Sequence, residues 1–191
     1  MKSNSFDDYF YTNLISSQDQ FFKWSCLNDS IMGGSSNANC KSTAQGLLIH
    51  GNLVEEGGGF ISCRSEVFEP PINLDDYRGI EINLDGKGKQ LKFAISANDI
   101  FFGIKSFIPN SLKWVYAFDT EINGSTKVKI PFNKFEANVR ANKIIFPVKF
   151  NRRNIYRFQL LYSKFGLSGK FNSSFCPGQI SILLRSISAY S

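Results

Sequence analysis

The chain has 191 residues and a formal net charge of +6, with 42% hydrophobic, 20% charged and 15% aromatic residues. That length suits one domain with a sizeable core, and the balance of apolar to charged residues excludes a disordered or low-complexity protein. No apolar run approaches the ~20 residues of a membrane-crossing helix, and the start, M-K-S-N-S-F-D-D-Y-F, has neither the apolar stretch of a secretory leader nor the Arg-rich, acid-poor character of a transit peptide. The expectation is therefore a cytoplasmic protein with reduced thiols, peripheral on a membrane if it meets one.

In chain order, Ser5–Ile15 places Phe6, Phe10, Leu14 and Ile15 roughly on one side of a helix, so residues 1–20 read as a helical or flexible extension. Residues 21–191 read as a single domain. From about Gly46 the apolar period is two. Leu47 to His50, Phe60 to Arg64, Ile80 to Leu84, Leu91 to Ile95, Val115 to Phe118, Thr126 to Ile130, Tyr156 to Leu160 and Ile180 to Leu184 each read as a strand with one apolar face. Asp85-Gly86-Lys87-Gly88 and Asn123-Gly124 read as hairpin turns between neighbouring strands. No long helix follows a strand, which argues against a parallel sheet. The predicted fold is all-β: an antiparallel β-sandwich of jelly-roll type with a short N-terminal helix. The 19 phenylalanines fit as rings filling the space between two sheets.

Charge is unevenly divided. Residues 1–90 carry 7 Lys/Arg against 12 Asp/Glu, whereas residues 91–191 carry 15 against 4. Between Lys127 and Lys170 the single acid is Glu136. Such a stretch suits an acidic protein surface, an anionic membrane or a nucleic acid. Arg152, Arg153 and Arg157 are its candidate contacts, provided that the strands bring them to one face.

Catalytic chemistry finds little support. His50, the single histidine, lies in an alternating strand with no cue to a nucleophile or carboxylate partner. The four cysteines, Cys26, Cys40, Cys63 and Cys176, include no C-x-x-C pair, so metal ligation is not predicted and no cofactor is called for. Gly86-Lys87-Gly88 and Gly57-Gly58-Gly59 lead into strands, which excludes dinucleotide and phosphate loops. Asp75-Asp76 is weak as a calcium signal.

Two glycine-punctuated segments carry the most information. W-S-C-L-N-D-S-I-M-G-G-S-S (Trp24–Ser36) and G-G-G-F-I-S-C-R (Gly57–Arg64) each demand backbone that only glycine adopts, or a close approach to a neighbour. Asp29 either accepts N–H bonds within its own turn or faces a partner. Arg64 either pairs with an acid or lines a docking surface. The candidate partner- or ligand-binding residues are Asp29, Met32, Gly33, Gly34, Ser35, Phe60, Ser62, Arg64, Arg152 and Arg153.

The same two segments resemble the signature of the complex I intermediate-associated protein 30 family, W-x-x-x-N-D-x-x-M-G-G-x-S followed by G-G-G-F-x-S-x-R. The similarity continues through L-D-D-Y-R-G-I-E-I-N-L (Leu74–Leu84), V-K-I-P-F-N-K-F (Val128–Phe135) and F-C-P-G-Q-I-S-I-L-L-R-S-I (Phe175–Ile187). It departs at D-G-K-G-K-Q-L, where the family commonly has G-D-G-R-x-Y. The resemblance implies a galactose-binding-domain-like jelly roll. It also implies a non-enzymatic factor that assembles or stabilises a respiratory or photosynthetic electron-transfer complex, with subunits of that membrane complex as partners. Two other classes stay open: a carbohydrate-binding module, with Trp114 or Tyr116 as the sugar-stacking ring, and an RNA-binding accessory protein that uses the basic half.

Overall fold

The structure, a computed structural model, describes residues 9–98, 100–101, 104–105, 112–139, 142–144 and 148–191. The first elements are strand β1 (Tyr11–Ile15), helix α1 (Gln18–Phe22), and strands β2 (Ser25–Asn28), β3 (Asn37–Thr43), β4 (Gly46–Leu53) and β5 (Phe60–Arg64). Then come β6 (Gly79–Asp85), β7 (Gln90–Ala97), the short β8 (Ile100–Phe101) and β9 (Ile104–Lys105), β10 (Leu112–Asp119) and β11 (Thr126–Pro131). The last are β12 (Glu136–Val139), β13 (Asn142–Lys143), β14 (Ile155–Ser163) and β15 (Gly178–Tyr190).

Two antiparallel sheets face each other. The first runs β11-β6-β15-β4-β3, with β1 added against the C-terminal half of β15; the second runs β13-β12-β10-β7-β14-β5-β2. The alternation read from the sequence supplies the packing between them. Leu47, Ile49, Ile80, Ile82, Leu84, Ile182 and Leu184 point inward from the first sheet, and Ile61, Leu91, Phe93, Ile95, Phe158 and Leu160 from the second; all are buried. Rings fill the wider gaps, with Phe93 and Phe158 centred 5.5 Å apart and Trp114 stacked on Phe150 at 4.6 Å. The predicted jelly-roll sandwich is the observed architecture.

Three local expectations are corrected. Tyr11–Ile15 forms a strand where a helix was expected, with Phe10 81% exposed; residues 1–8 lie outside the described residues. The free flank of β15 offers β1 a full ladder, and Tyr11, Thr12 and Ile15 favour extended backbone. The helix begins only at Gln18, behind a capping box in which Ser17 and Gln20 satisfy each other's backbone N–H groups. The Asp85–Gly88 turn joins β6 of the first sheet to β7 of the second, and Asn123-Gly124 joins β10 of the second to β11 of the first. Both are arches across the sandwich, because turn chemistry reverses the chain without specifying which sheet receives it.

Candidate functional site

The two glycine-rich segments meet at Asp29, at one end of the sandwich. Asp29 opens a single 3-10 turn after β2 and is completely buried. Its Oδ1 accepts the Ser36 N–H at 2.9 Å. Its Oδ2 accepts the Ser36 hydroxyl at 2.6 Å, the Gly59 N–H at 2.7 Å and the Phe60 N–H at 3.3 Å. Burial pushes the carboxyl up, but these donors outweigh it and hold the group below the ordinary aspartate value. Gly34 and Gly58 lie against the same carboxylate, and a Cβ at either position would overlap it. The motif spacing thus brings two glycines to the flanks of one buried acid. The tip of the turn, Ile31 and Met32, is 70% and 74% exposed, followed by Gly33 and Ser35.

From this corner β5 runs along the second sheet. Ile61 and Cys63 face the core, so Phe60, Ser62 and Arg64 face outward. Arg64 lies in register with Ser25 and Gln159, on the two neighbouring strands, rather than beside Asp29. The outward positions of β14 and β10 bring Arg157, Gln159 and Lys113 to the same surface, across the small residues Ala94 and Ser96 of β7. Lys113 Nζ donates to Gln159 Oε1, and Gln159 Nε2 donates to Ser62 Oγ at 3.0 Å. A bulge in β14 between Ile155 and Arg157 resets the alternation, so that Ile155 and Phe158 are both buried.

Three cations therefore converge with no acidic partner among the described residues. Burial, then the like charges of Arg64 and Arg157, pushes Lys113 below the ordinary lysine value; burial, then Arg64, does the same to Arg157. Arg157 Nε is buried without a hydrogen-bond partner. Beside this cluster the segment after β14 crosses the face, and its turn Leu167–Gly169 lies against β10 and β13. Lys92 Nζ donates to the Phe165 carbonyl of that segment at 2.6 Å, and burial pushes Lys92 down to about 8.

Of the residues singled out in the sequence, Asp29, Met32, Gly33, Gly34, Ser35 and Phe60 share the corner, and Ser62 and Arg64 extend from it along the outer face. Arg152 and Arg153 are not brought there. They precede β14, at the end of the sandwich opposite Ser163 and Phe60, and both are committed to Asp75, Arg152 Nη2 at 3.0 Å and Arg153 Nε at 2.8 Å. Trp114 and Tyr116 pack inward, Trp114 on Phe150 and Tyr116 near Phe135, so neither presents an exposed ring face for stacking a sugar. Lys113 escaped the sequence reading because its strand neighbours gave no sign that β10 and β14 flank the same β7.

The antiparallel jelly-roll sandwich is a fold that this chain shares with solved carbohydrate-binding modules. The family 11 carbohydrate-binding module of Clostridium thermocellum, in complex with a β-1,3-1,4-mixed-linked tetrasaccharide, superposes with a TM-score of 0.63 at 13% identity, over 93% of this chain and 94% of that one. The same module from the cellulosomal cellulase Lic26A-Cel5E gives the same score and identity. An agarase matches at 0.58 and 9% identity, this chain spanning 24% of its length. Residues 14–176 match the family Complex I intermediate-associated protein 30, and the chain belongs to that family. No curated protein matches it significantly.

Proposed function

We propose that this chain is a non-enzymatic docking module that helps assemble or stabilise a membrane-bound electron-transfer complex, and that the outer face of its second sheet engages an acidic surface of a partner subunit. The convergence of Arg64, Lys113 and Arg157 without an acid among the described residues carries this reading. Like charges held together at a half-buried face raise one another's energy, and an incoming carboxylate relieves that repulsion. Family membership supports the class of partner. The apolar tip at Ile31 and Met32, beside Gly33 and Ser35, supplies a contact of different character at the end of the same sheet.

The test is capture of cross-linked partners from gently solubilised membranes, comparing the native chain with Arg64→Glu/Arg157→Glu. Subunits of one respiratory or photosynthetic complex are expected with the native chain, and their recovery should fall with added salt, since exposed charges are screened beyond about 8–10 Å at physiological ionic strength. Equal recovery by the charge-reversed variant sinks the assignment of this face.

A glycan site is the second reading, favoured by the Lys113–Gln159–Ser62 hydrogen-bonding row on a fold shared with sugar-binding modules. Calorimetry against mixed-linked glucan and agarose oligosaccharides tests it, and a flat response retires it. Nucleic-acid binding loses its main support. The basic stretch is dispersed: Lys129 sits over the Tyr9 ring at 3.9 Å on the first sheet, Lys143 pairs with Glu136, Lys164 with Glu55, and Arg152 and Arg153 with Asp75.

A further inference from the structure

Cys26 on β2, Cys40 on β3 and Cys63 on β5 come from both sheets, yet their three sulfur atoms all lie within 4.8 Å of one another. Strand β2 is an edge of the second sheet and β3 an edge of the first, so the cluster closes one open side of the sandwich. Two residues along, the Asn28 side chain spans the same gap, donating to the Ala38 carbonyl and accepting its N–H, both at 3.2 Å. Cys63 is completely buried; Cys26 and Cys40 are half-buried and pack against the core. The Cα separations, 5.6 Å for Cys26–Cys40 and 6.7 Å for Cys40–Cys63, each suit a disulfide. Cys40 can join only one partner at a time, however, so no disulfide accounts for all three sulfurs. A single metal ion does.

We propose that Cys26, Cys40 and Cys63 form a three-thiolate site for one monovalent copper ion. Thiolates are soft donors that select copper(I), zinc or iron–sulfur clusters. Closed structural zinc sites use four protein ligands, and iron–sulfur clusters ordinarily take four cysteines. Among the described residues no His, Asp or Glu joins the three sulfurs. His50 alternates to the opposite face of β4 from Ile49, the residue in register with Cys40. Cys176 is exposed and outside the cluster. Three soft donors on an apolar floor match a three-coordinate soft ion, and the half-buried Cys26 and Cys40 give it a path in. The thiols release protons on binding, so retention should strengthen as pH rises.

The test is an anaerobic titration of the reduced full chain with copper(I) delivered from a competing chelator. One copper per chain is expected, unchanged in Cys176→Ser. Cys26→Ser, Cys40→Ser and Cys63→Ser should each weaken retention by more than the roughly 10–100-fold that loss of an outer-shell partner costs. X-ray absorption on the loaded chain should read three sulfur neighbours. Failure of the native chain to hold copper against the chelator overturns the site, as does a folded Cys63→Ser that holds it equally well. One zinc held in preference to copper, or two sulfur neighbours, also overturns it. If Cys63→Ser does not fold, Cys26→Ser at the strand edge makes the same comparison, and the sulfur count of the native chain decides independently.

Discussion

Asp29 shows how a single side chain fixes a loop that carries no regular structure. Its carboxylate gathers three backbone N–H groups and one hydroxyl from segments seven and about thirty residues away. Asp29→Ala leaves the three N–H groups unpaired, while the Ser36 hydroxyl keeps the Val54 carbonyl, at a cost of about 3 kcal/mol or more. Urea unfolding should show that loss, with Asp29→Asn falling between the two because an amide keeps one acceptor. The native carboxyl is held below its ordinary value, so its stabilising contribution is present above the ordinary aspartate range and fades as pH falls through the folded value. In the Asp29→Asn protein that acid-side slope should shrink. Gly58→Ala should be destabilising by about 1–3 kcal/mol, since the new methyl group meets the carboxylate. Gly33-Gly34 after the Asn28-Asp29 turn and the distant Gly57–Gly59 each announced a close approach in the sequence. That one aspartate is what both approach was hidden, because the partners are far apart in the chain.

At the level of elements, β7 and the segment after β14 form a unit that spacing could not reveal. The Asn172 side chain donates to the Gln90 and Ser163 carbonyls at 3.1 and 3.0 Å, the Gln90 N–H donates to Ser174 Oγ, and Lys92 anchors Phe165. Lys92 shows an alternation that periodicity predicted, with Leu91, Phe93 and Ile95 inward, but its burial comes from a segment some 70 residues on. Because burial lowers its folded value to about 8 from 10.5, the unfolded chain binds more protons between those limits. Stability should therefore rise with pH from about 8 to 10, by up to about 3 kcal/mol. Lys92→Met should flatten this slope and raise stability at neutral pH, read by denaturant midpoints across that range. Two bulges explain where strand patterns broke. On β15 the inward set Ile180, Ile182 and Leu184 passes to Ile187 and Ala189 across a bulge at Arg185, whose guanidinium pairs with Asp85 at 2.7 Å.

Taken whole, the molecule was legible as a sandwich because the longer core strands, β4, β6, β7, β10, β14 and β15 among them, each show their own period of two. Its wiring was not, since two turns that look like hairpins carry the chain from sheet to sheet. Likewise a basic half in the sequence became scattered ion pairs in space, and its one small unpaired cluster, Lys113 and Arg157, is completed by Arg64 from the acidic half. The strand that unites the first sheet is β15, which pairs with β4, β6 and β1, yet it is made after all three. While the protein is being translated, β3–β4 and β6–β11 exist only as separate ribbons with open edges, the exposed state that invites wrong pairing. The second sheet has all its strands once Ser163 is out. Ribosome-bound chains stopped before residue 178 should thus remain sensitive to protease throughout the first sheet, and gain protection together when residues 178–190 emerge. Completion of the first sheet is thus timed by β15, so its earlier ribbons wait for that one segment and depend on whatever shields their edges until then.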